Sequence, residues 1–160
     1  MTEERVVALL REKGWHISAA ESCTGGLVQA RLVNVPGSSD VFDEGYVTYA
    51  NRSKQRLLGV SEEILKTRGA VSAECARAMA DGCRQAAGSD IALAVTGIAG
   101  PGGGTPEKPV GLVYTACAAP EGTRVEEHHF TGDRAQVRAQ AAEAALAMAL
   151  GALEDEHDGN

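Results

Sequence analysis

The sequence predicts an α/β protein, a sandwich of helices around a mixed, mostly parallel β-sheet. Three observations carry this. Segments with helical apolar spacing alternate with short β-rich runs along the first two thirds of the chain. One run, "DIALAVTGI" at 90–98, is continuously apolar, as a strand buried on both faces must be. Two further strand-like runs, "VGLVYTACAA" and "TRVEEHHF", are joined by the turn "PEGT" and read as a hairpin, which makes the sheet mixed.

Taken in order, Val6, Val7, Leu9 and Leu10 give a first helix near 3–13, stopped by Gly14. "WHISAAES" at 15–22 is a short strand, 24–34 a second helix and "PGSS" at 36–39 a turn. "VFDEGYVTYA" at 41–50 has the composition of a strand. Asn51 is placed to cap a short helix containing Lys54, Ser61 to cap another, and Ser72 to cap an alanine-rich helix reaching about residue 87. After the apolar strand, "AGPGGGTPEKP" can be neither helix nor strand. A last helix runs from about Asp133 to Leu153, opened by an Asp133-x-x-Gln136 capping box. One domain over 1–153 is expected, followed by a frayed polar tail over 154–160.

At 160 residues the chain can bury a core without cross-links. Its net charge of −7 excludes the basic footprint that nucleic acid requires, and two Phe, three Tyr and one Trp offer no stacking platform. The N-terminus lacks the basic start and apolar core of a signal peptide, and no apolar stretch reaches the roughly 18 residues that span a bilayer. A cytoplasmic protein is expected, with no membrane partner and with Cys23, Cys75, Cys83 and Cys117 reduced. These cysteines form no C-x-x-C pair, and the neighbours His128 and His129 must point to opposite faces of a strand, so no metal site is expected.

Ligands of such sheets gather beyond the carboxyl ends of strands, where two segments fall. In "ESCTGG" at 21–26, Ser22 or Thr24 caps the following helix, or the helix start holds an anion or an oxyanion beside a nucleophile. The stretch by itself leaves these readings even, and leaves open whether Ser22 or Cys23 reacts. In "TGIAGPGGG" the glycines fit neither a P-loop nor a dinucleotide fingerprint: Gly103 and Gly104 stand where a P-loop needs Lys and Ser/Thr. Free backbone N–H groups there remain able to cradle an anion. In "YVTYANRSK", Lys54 follows a strand closely and becomes a base if desolvated, with Tyr49 beside it. Arg134 and Arg138 are four residues apart on one helical face, spaced to clamp a phosphate or carboxylate, or to form surface ion pairs.

Together "AAESCTGG", "YVTYANRSK", "GAVS", "TGIAGPGGG…EKPVG" and "GDRAQVRAQ" resemble, in order and spacing, the CinA carboxy-terminal domain family, also called PncC, over about residues 3–150. The chain looks like the stand-alone form. The resemblance implies a three-layer α/β/α fold, a homodimer, no metal and no cofactor. It implies a nicotinamide-nucleotide amidase that hydrolyses nicotinamide mononucleotide to nicotinate mononucleotide and ammonia. Ser22 matches the family's nucleophile, Lys54 its base and Tyr49 its proton relay, with Arg138 as a further catalytic or binding group. Thr24, Gly25, Thr96, Gly97, Gly100, Gly102 and Arg134 are expected at the substrate, with the Gly97–Gly104 loop and an arginine as the candidates for its phosphate. Two other readings stand beside this one: Cys23 as the nucleophile, and a non-catalytic nucleotide-binding module.

Overall fold

The computed structural model describes residues 1–158. The helices are α1 (Thr2–Lys13), α2 (Leu27–Val33), α3 (Asn51–Leu58), α4 (Glu62–Thr67), α5 (Ala73–Ala87) and α6 (Arg134–Asp158). The strands are β1 (Ile17–Glu21), β2 (Tyr46–Val47), β3 (Ile91–Gly97), β4 (Leu112–Ala119) and β5 (Gly122–His129). They form one sheet in the order β2-β1-β3-β4-β5. β1 pairs parallel with β2 and β3, while β4 pairs antiparallel with β3 and β5. Because β5 reverses β4, four strands share a direction and only β4 opposes them, giving the mixed, mostly parallel sheet.

Alternation along the central strand divides the core in two. Ile91, Leu93 and Val95 of β3 face a cluster with Val6, Leu10, Leu32 and Leu146, from α1, α2 and α6. Ala92 and Ala94 face the other cluster, with Leu58, Ala76, Met79 and Ala80 from α3 and α5. Large side chains hold one helical layer away from the sheet, and alanines draw the other close. The three layers follow from this period of two.

Several local expectations are refined. "VFDEGYVTYA" contributes only Tyr46–Val47 to the sheet, plus an isolated bridge from Phe42 to Ile17. Asp43, Glu44 and Gly45 interrupt it, and all three are poor strand formers. Asn51 is the first residue of α3 and caps nothing; Ala50 holds the cap position. Ser61 and Ser72 do cap, accepting from the N–H groups of Ile64 and Cys75. The capping box is reciprocal: Gln136 N–H donates to Asp133 Oδ1 at 2.9 Å, and Asp133 N–H to Gln136 Oε1 at 2.8 Å. α6 runs five residues past Leu153, because no Gly or Pro stops it and Arg5 and Arg124 pair with Glu154 and Asp155. The expected tail is thus helical through Asp158, and its last two residues lie outside the described ones.

α3 carries Lys54, and its closeness to α5 depends on one glycine. A Cβ on Gly82 would lie 1.8 Å from the Leu58 carbonyl oxygen at the end of α3. Backbone cannot yield as a flexible side-chain tip does. Gly82→Ala is therefore expected to cost about 1–3 kcal/mol through overpacking, read as a melting temperature lowered by several degrees in a thermal unfolding scan.

Candidate active site

The site begins with β1. Its last residue, Glu21, is fully buried and accepts hydrogen bonds from the N–H groups of Val28 at 2.9 Å and Gln29 at 3.1 Å. An acid one position before Ser22 thus supplies the N-terminal partner of α2, with the charge sign that a helix start favours. The sequence reading gave this task to Ser22 or Thr24 and missed Glu21; the signal available was an acid a few residues ahead of the helical pattern. Ser22 is released from capping.

Ser22 N–H donates to the Val95 carbonyl at 2.9 Å, fixing the residue as a continuation of β1 against β3. Residues 22–26 then turn, with Gly25 at φ 58° and Gly26 at φ 113°. Gly25 N–H bonds the Ser22 carbonyl, and the N–H groups of Cys23 and Thr24 form no hydrogen bond among the described residues. Both donors directly after the hydroxyl are thus unpaired; Thr24 is fully buried, and Cys23 keeps a small exposed surface.

Lys54 reaches this hydroxyl from α3. Its side chain is 1% exposed, and Nζ lies 3.0 Å from Ser22 Oγ, 2.7 Å from the Thr48 carbonyl and 3.3 Å from the Tyr49 carbonyl. No carboxylate pairs with it among the described residues. Burial among neutral groups pushes its pKa below the ordinary lysine value. A neutral amine has two N–H donors and one lone pair, which match two carbonyls and one hydroxyl. The geometry is that of a serine paired with a lysine base.

Arg138 braces the turn rather than facing open space. Its Nε donates to the Cys23 carbonyl at 3.0 Å and its Nη2 to the Thr24 carbonyl at 2.9 Å. A Cβ on Gly25 would sit 3.5 Å from Nη2, an ordinary contact, so it is the positive φ that calls for glycine here. Thr24 is fully buried with its hydroxyl unpartnered. Tyr49 is exposed at the rim, where its hydroxyl accepts from Arg134 Nη2 at 3.1 Å; Arg134 Nη1 donates to the Gly100 carbonyl at 2.8 Å. The Tyr49 hydroxyl therefore bonds Arg134, not Ser22 or Lys54, and only the Tyr49 carbonyl reaches the lysine.

The glycine-rich segment is anchored at several points. Thr96, buried, donates its hydroxyl to the Ala70 carbonyl at 2.9 Å. A Cβ on Gly97 would lie 2.6 Å from Val113 Cγ2, so this glycine serves the pairing of β3 with β4. Lys108, unremarked in the sequence, donates Nζ to the Arg68 carbonyl and ties the segment to the α4–α5 connection. Gly102 has open space where its side chain would be. Serine, lysine, both arginines, Tyr49 and Gly100 are thus brought together, while Thr96 and Gly97 hold backbone.

The model of the CinA C-terminal domain matches residues 1–153. The chain belongs to the CinA C-terminal domain family. A CinA-like protein of Syntrophobacter fumaroxidans is 53% identical over 96% of this chain and 36% of its own length. Another, from Citrifermentans bemidjiense, is 57% identical over 85% of the chain and 33% of its own. The chain therefore spans about a third of these curated relatives. Among solved structures, the competence/damage inducible protein CihA from Agrobacterium tumefaciens is 44% identical, with a TM-score of 0.92 over 96% of this chain and 93% of that one. The CinA superfamily protein KP700603 from Klebsiella pneumoniae is 36% identical, again with a TM-score of 0.92, over 96% of both chains. Among the described residues of this CinA domain, no helix is long and apolar enough to cross a membrane.

The second candidate nucleophile is suppressed by its surroundings. Burial pushes the Cys23 thiol up to about 11, outweighing the nearby cations, and raises Cys75 and Cys83 to about 11 and Cys117 to about 12. At pH 8 the thiolate fraction of the first three is of order one in a thousand. Iodoacetamide at pH 8 is expected to leave all four cysteines of the native protein unmodified over an hour, and to alkylate all four after denaturation, as intact mass measures.

Proposed function

We propose that this domain is a nicotinamide-nucleotide amidase using Ser22 as nucleophile and Lys54 as general base. The observation carrying the proposal is the 3.0 Å contact between a buried, carboxylate-free Lys54 amine and the Ser22 hydroxyl. In this reading Lys54 takes the Ser22 proton as Oγ attacks the carboxamide carbon. The Cys23 N–H receives the oxyanion, such a donor being worth roughly 3 kcal/mol in the transition state. The C–N bond then breaks as Lys54 returns the proton to the leaving nitrogen, releasing ammonia. Water hydrolyses the acyl-serine by the same base.

Tyr49 takes a different part from the relay expected in the sequence. Its hydroxyl is engaged by Arg134, so we assign it to the rim, where both groups meet the nucleotide. Charge supports an anionic substrate. Within a chain of net charge −7, Lys108, Arg134 and Arg138 form no ion pair among the described residues. Cations without a carboxylate partner at the Ser22 turn and the glycine-rich segment favour a phosphate, and Arg134, bonded to the Gly100 carbonyl, is the proposed place for it.

The test is ammonia release from nicotinamide mononucleotide, nicotinamide and NAD in the presence of EDTA. Turnover of the mononucleotide, falling at least a thousandfold in Ser22→Ala and persisting in Cys23→Ala, is expected. Binding without ammonia release in the wild type would leave a nucleotide-binding module instead.

The pH dependence follows from Lys54. Only its neutral form accepts the serine proton, so kcat/KM is expected to rise with pH through the lysine's folded-state pKa and then level off. Since burial lowers that pKa, the midpoint lies below 10.5. Lys54→Met is expected to abolish this acid limb together with activity, as a pH–rate series measures.

A further inference from the structure

We infer that the Thr48 hydroxyl is a positioning group for Lys54, accepting the third N–H of its ammonium in the tetrahedral intermediate, while Ser22 Oγ is bonded to the carboxamide carbon and ammonia has not yet left. The inference rests on the amidase reading and concerns a residue to which that reading gives no side-chain role. Thr48 is fully buried, and its Oγ1 has no hydrogen-bond partner among the described residues. A buried unpaired hydroxyl is costly, and a valine of the same shape would avoid the cost. Its position is also specific. β2 pairs with β1 in the register Glu21 to Val47, and Thr48 N–H continues the ladder to the Glu21 carbonyl at 2.9 Å. Thr48 therefore stands beside Ser22, and alternation puts both on the α3–α5 face of the sheet with Lys54. The carbonyl of this same Thr48 is the 2.7 Å partner of Lys54 Nζ.

The need arises during the reaction. Before attack, the neutral amine donates to the Thr48 and Tyr49 carbonyls and accepts from Ser22. After attack it is an ammonium with three N–H donors. Ser22 Oγ is by then an ether-type oxygen of the tetrahedral adduct, a weaker acceptor than a hydroxyl, and Lys54 is too buried for water to replace it. The other groups facing Nζ are the Cys75 thiol from α5 and the Cys23 thiol from the turn, both held neutral by burial, with Lys108 beyond Cys75. None is a strong acceptor. A rotation of the Thr48 side chain turns Oγ1 toward the amine and supplies one. The proton stays on nitrogen until it passes to the departing ammonia.

The test compares Thr48→Val, which keeps the shape, with Thr48→Ser, which keeps the hydroxyl. Before attack the ammonium already has three acceptors, the Thr48 and Tyr49 carbonyls and Ser22 Oγ, so the acid limb of the pH–kcat profile is expected to stay in place in both variants. Thr48→Val is expected to lower kcat about tenfold with KM unchanged, and Thr48→Ser to keep the wild-type kcat. A wild-type kcat in Thr48→Val, with a raised melting temperature, would overturn the inference, for the hydroxyl would then be only an unpaired group. If the wild type releases no ammonia, the amidase reading fails separately. The comparison is then made with phenylmethylsulfonyl fluoride, where Ser22 Oγ bonds to sulfur, fluoride leaves and Lys54 takes the proton. Labelling about tenfold slower in Thr48→Val, and wild-type in Thr48→Ser, is expected; equal rates in all three proteins would overturn the inference.

Discussion

The site depends on a lysine held where lysines are rarely found. Lys54 is among the largest fully buried side chains of the molecule. Burying an ammonium without a counter-ion is expensive, and a protein avoids that expense by letting the group become neutral. Everything around Nζ is consistent with neutrality: two backbone carbonyls, one hydroxyl and two thiols that are themselves pushed upward. An aspartate or glutamate at any of these places would stabilise the ammonium and remove the proposed base. The absence of a carboxylate partner here, among the described residues, thus supports the proposed chemistry.

Holding the lysine in place is a matter of backbone. Its two carbonyl partners come from the segment that follows β2, and β2 needs only two residues because its task is to bring Thr48 and Tyr49 beside Ser22. α3 in turn is pressed toward α5 by the bare Cα of Gly82. On the other side of the sheet, Glu21 takes up two N–H groups of α2 and Arg138 takes up two carbonyls of the turn. The capping duty that could have occupied Ser22 or Thr24 is moved to neighbours. Ser22 is left with its backbone anchored at Val95 and its hydroxyl free for Lys54, and the two N–H groups that follow it stay unpaired.

Element order, the fully buried β3, the β4–β5 hairpin, the Ser61 and Ser72 caps and the Asp133–Gln136 capping box were all legible in the residues, because each rests on contacts within a few positions. The short extent of β2 and the extension of α6 were not, since one is decided by pairing with β1 and the other by Arg5 and Arg124. The same division runs through the site. Ser22, Lys54 and the arginines stood out by type and place. Glu21 reads in sequence as one more acid, and only the fold shows it pointing into α2. Tyr49 and Lys54, five residues apart, suggested a proton relay that the structure separates: the tyrosine hydroxyl goes to Arg134, and what Tyr49 gives Lys54 is its carbonyl.

Charge gives the last step of the argument. Overall acidity suited the cationic pyridinium of the proposed substrate, but net charge says nothing about where charges lie. Several cations elsewhere are held by acids: Glu3 and Glu143 hold Arg31, Asp40 sits against Arg11, and Glu62 pairs with Lys66. At the site no carboxylate pairs with Arg134 or Arg138 among the described residues. Arg134 and Arg138 use their donors on carbonyls and the Tyr49 hydroxyl, which orient a guanidinium without cancelling its charge. A negatively charged phosphate entering there gains attraction that no fixed carboxylate has already satisfied. The local field would favour a phosphorylated carboxamide over the free one, and that distinction separates a nucleotide amidase from a general one.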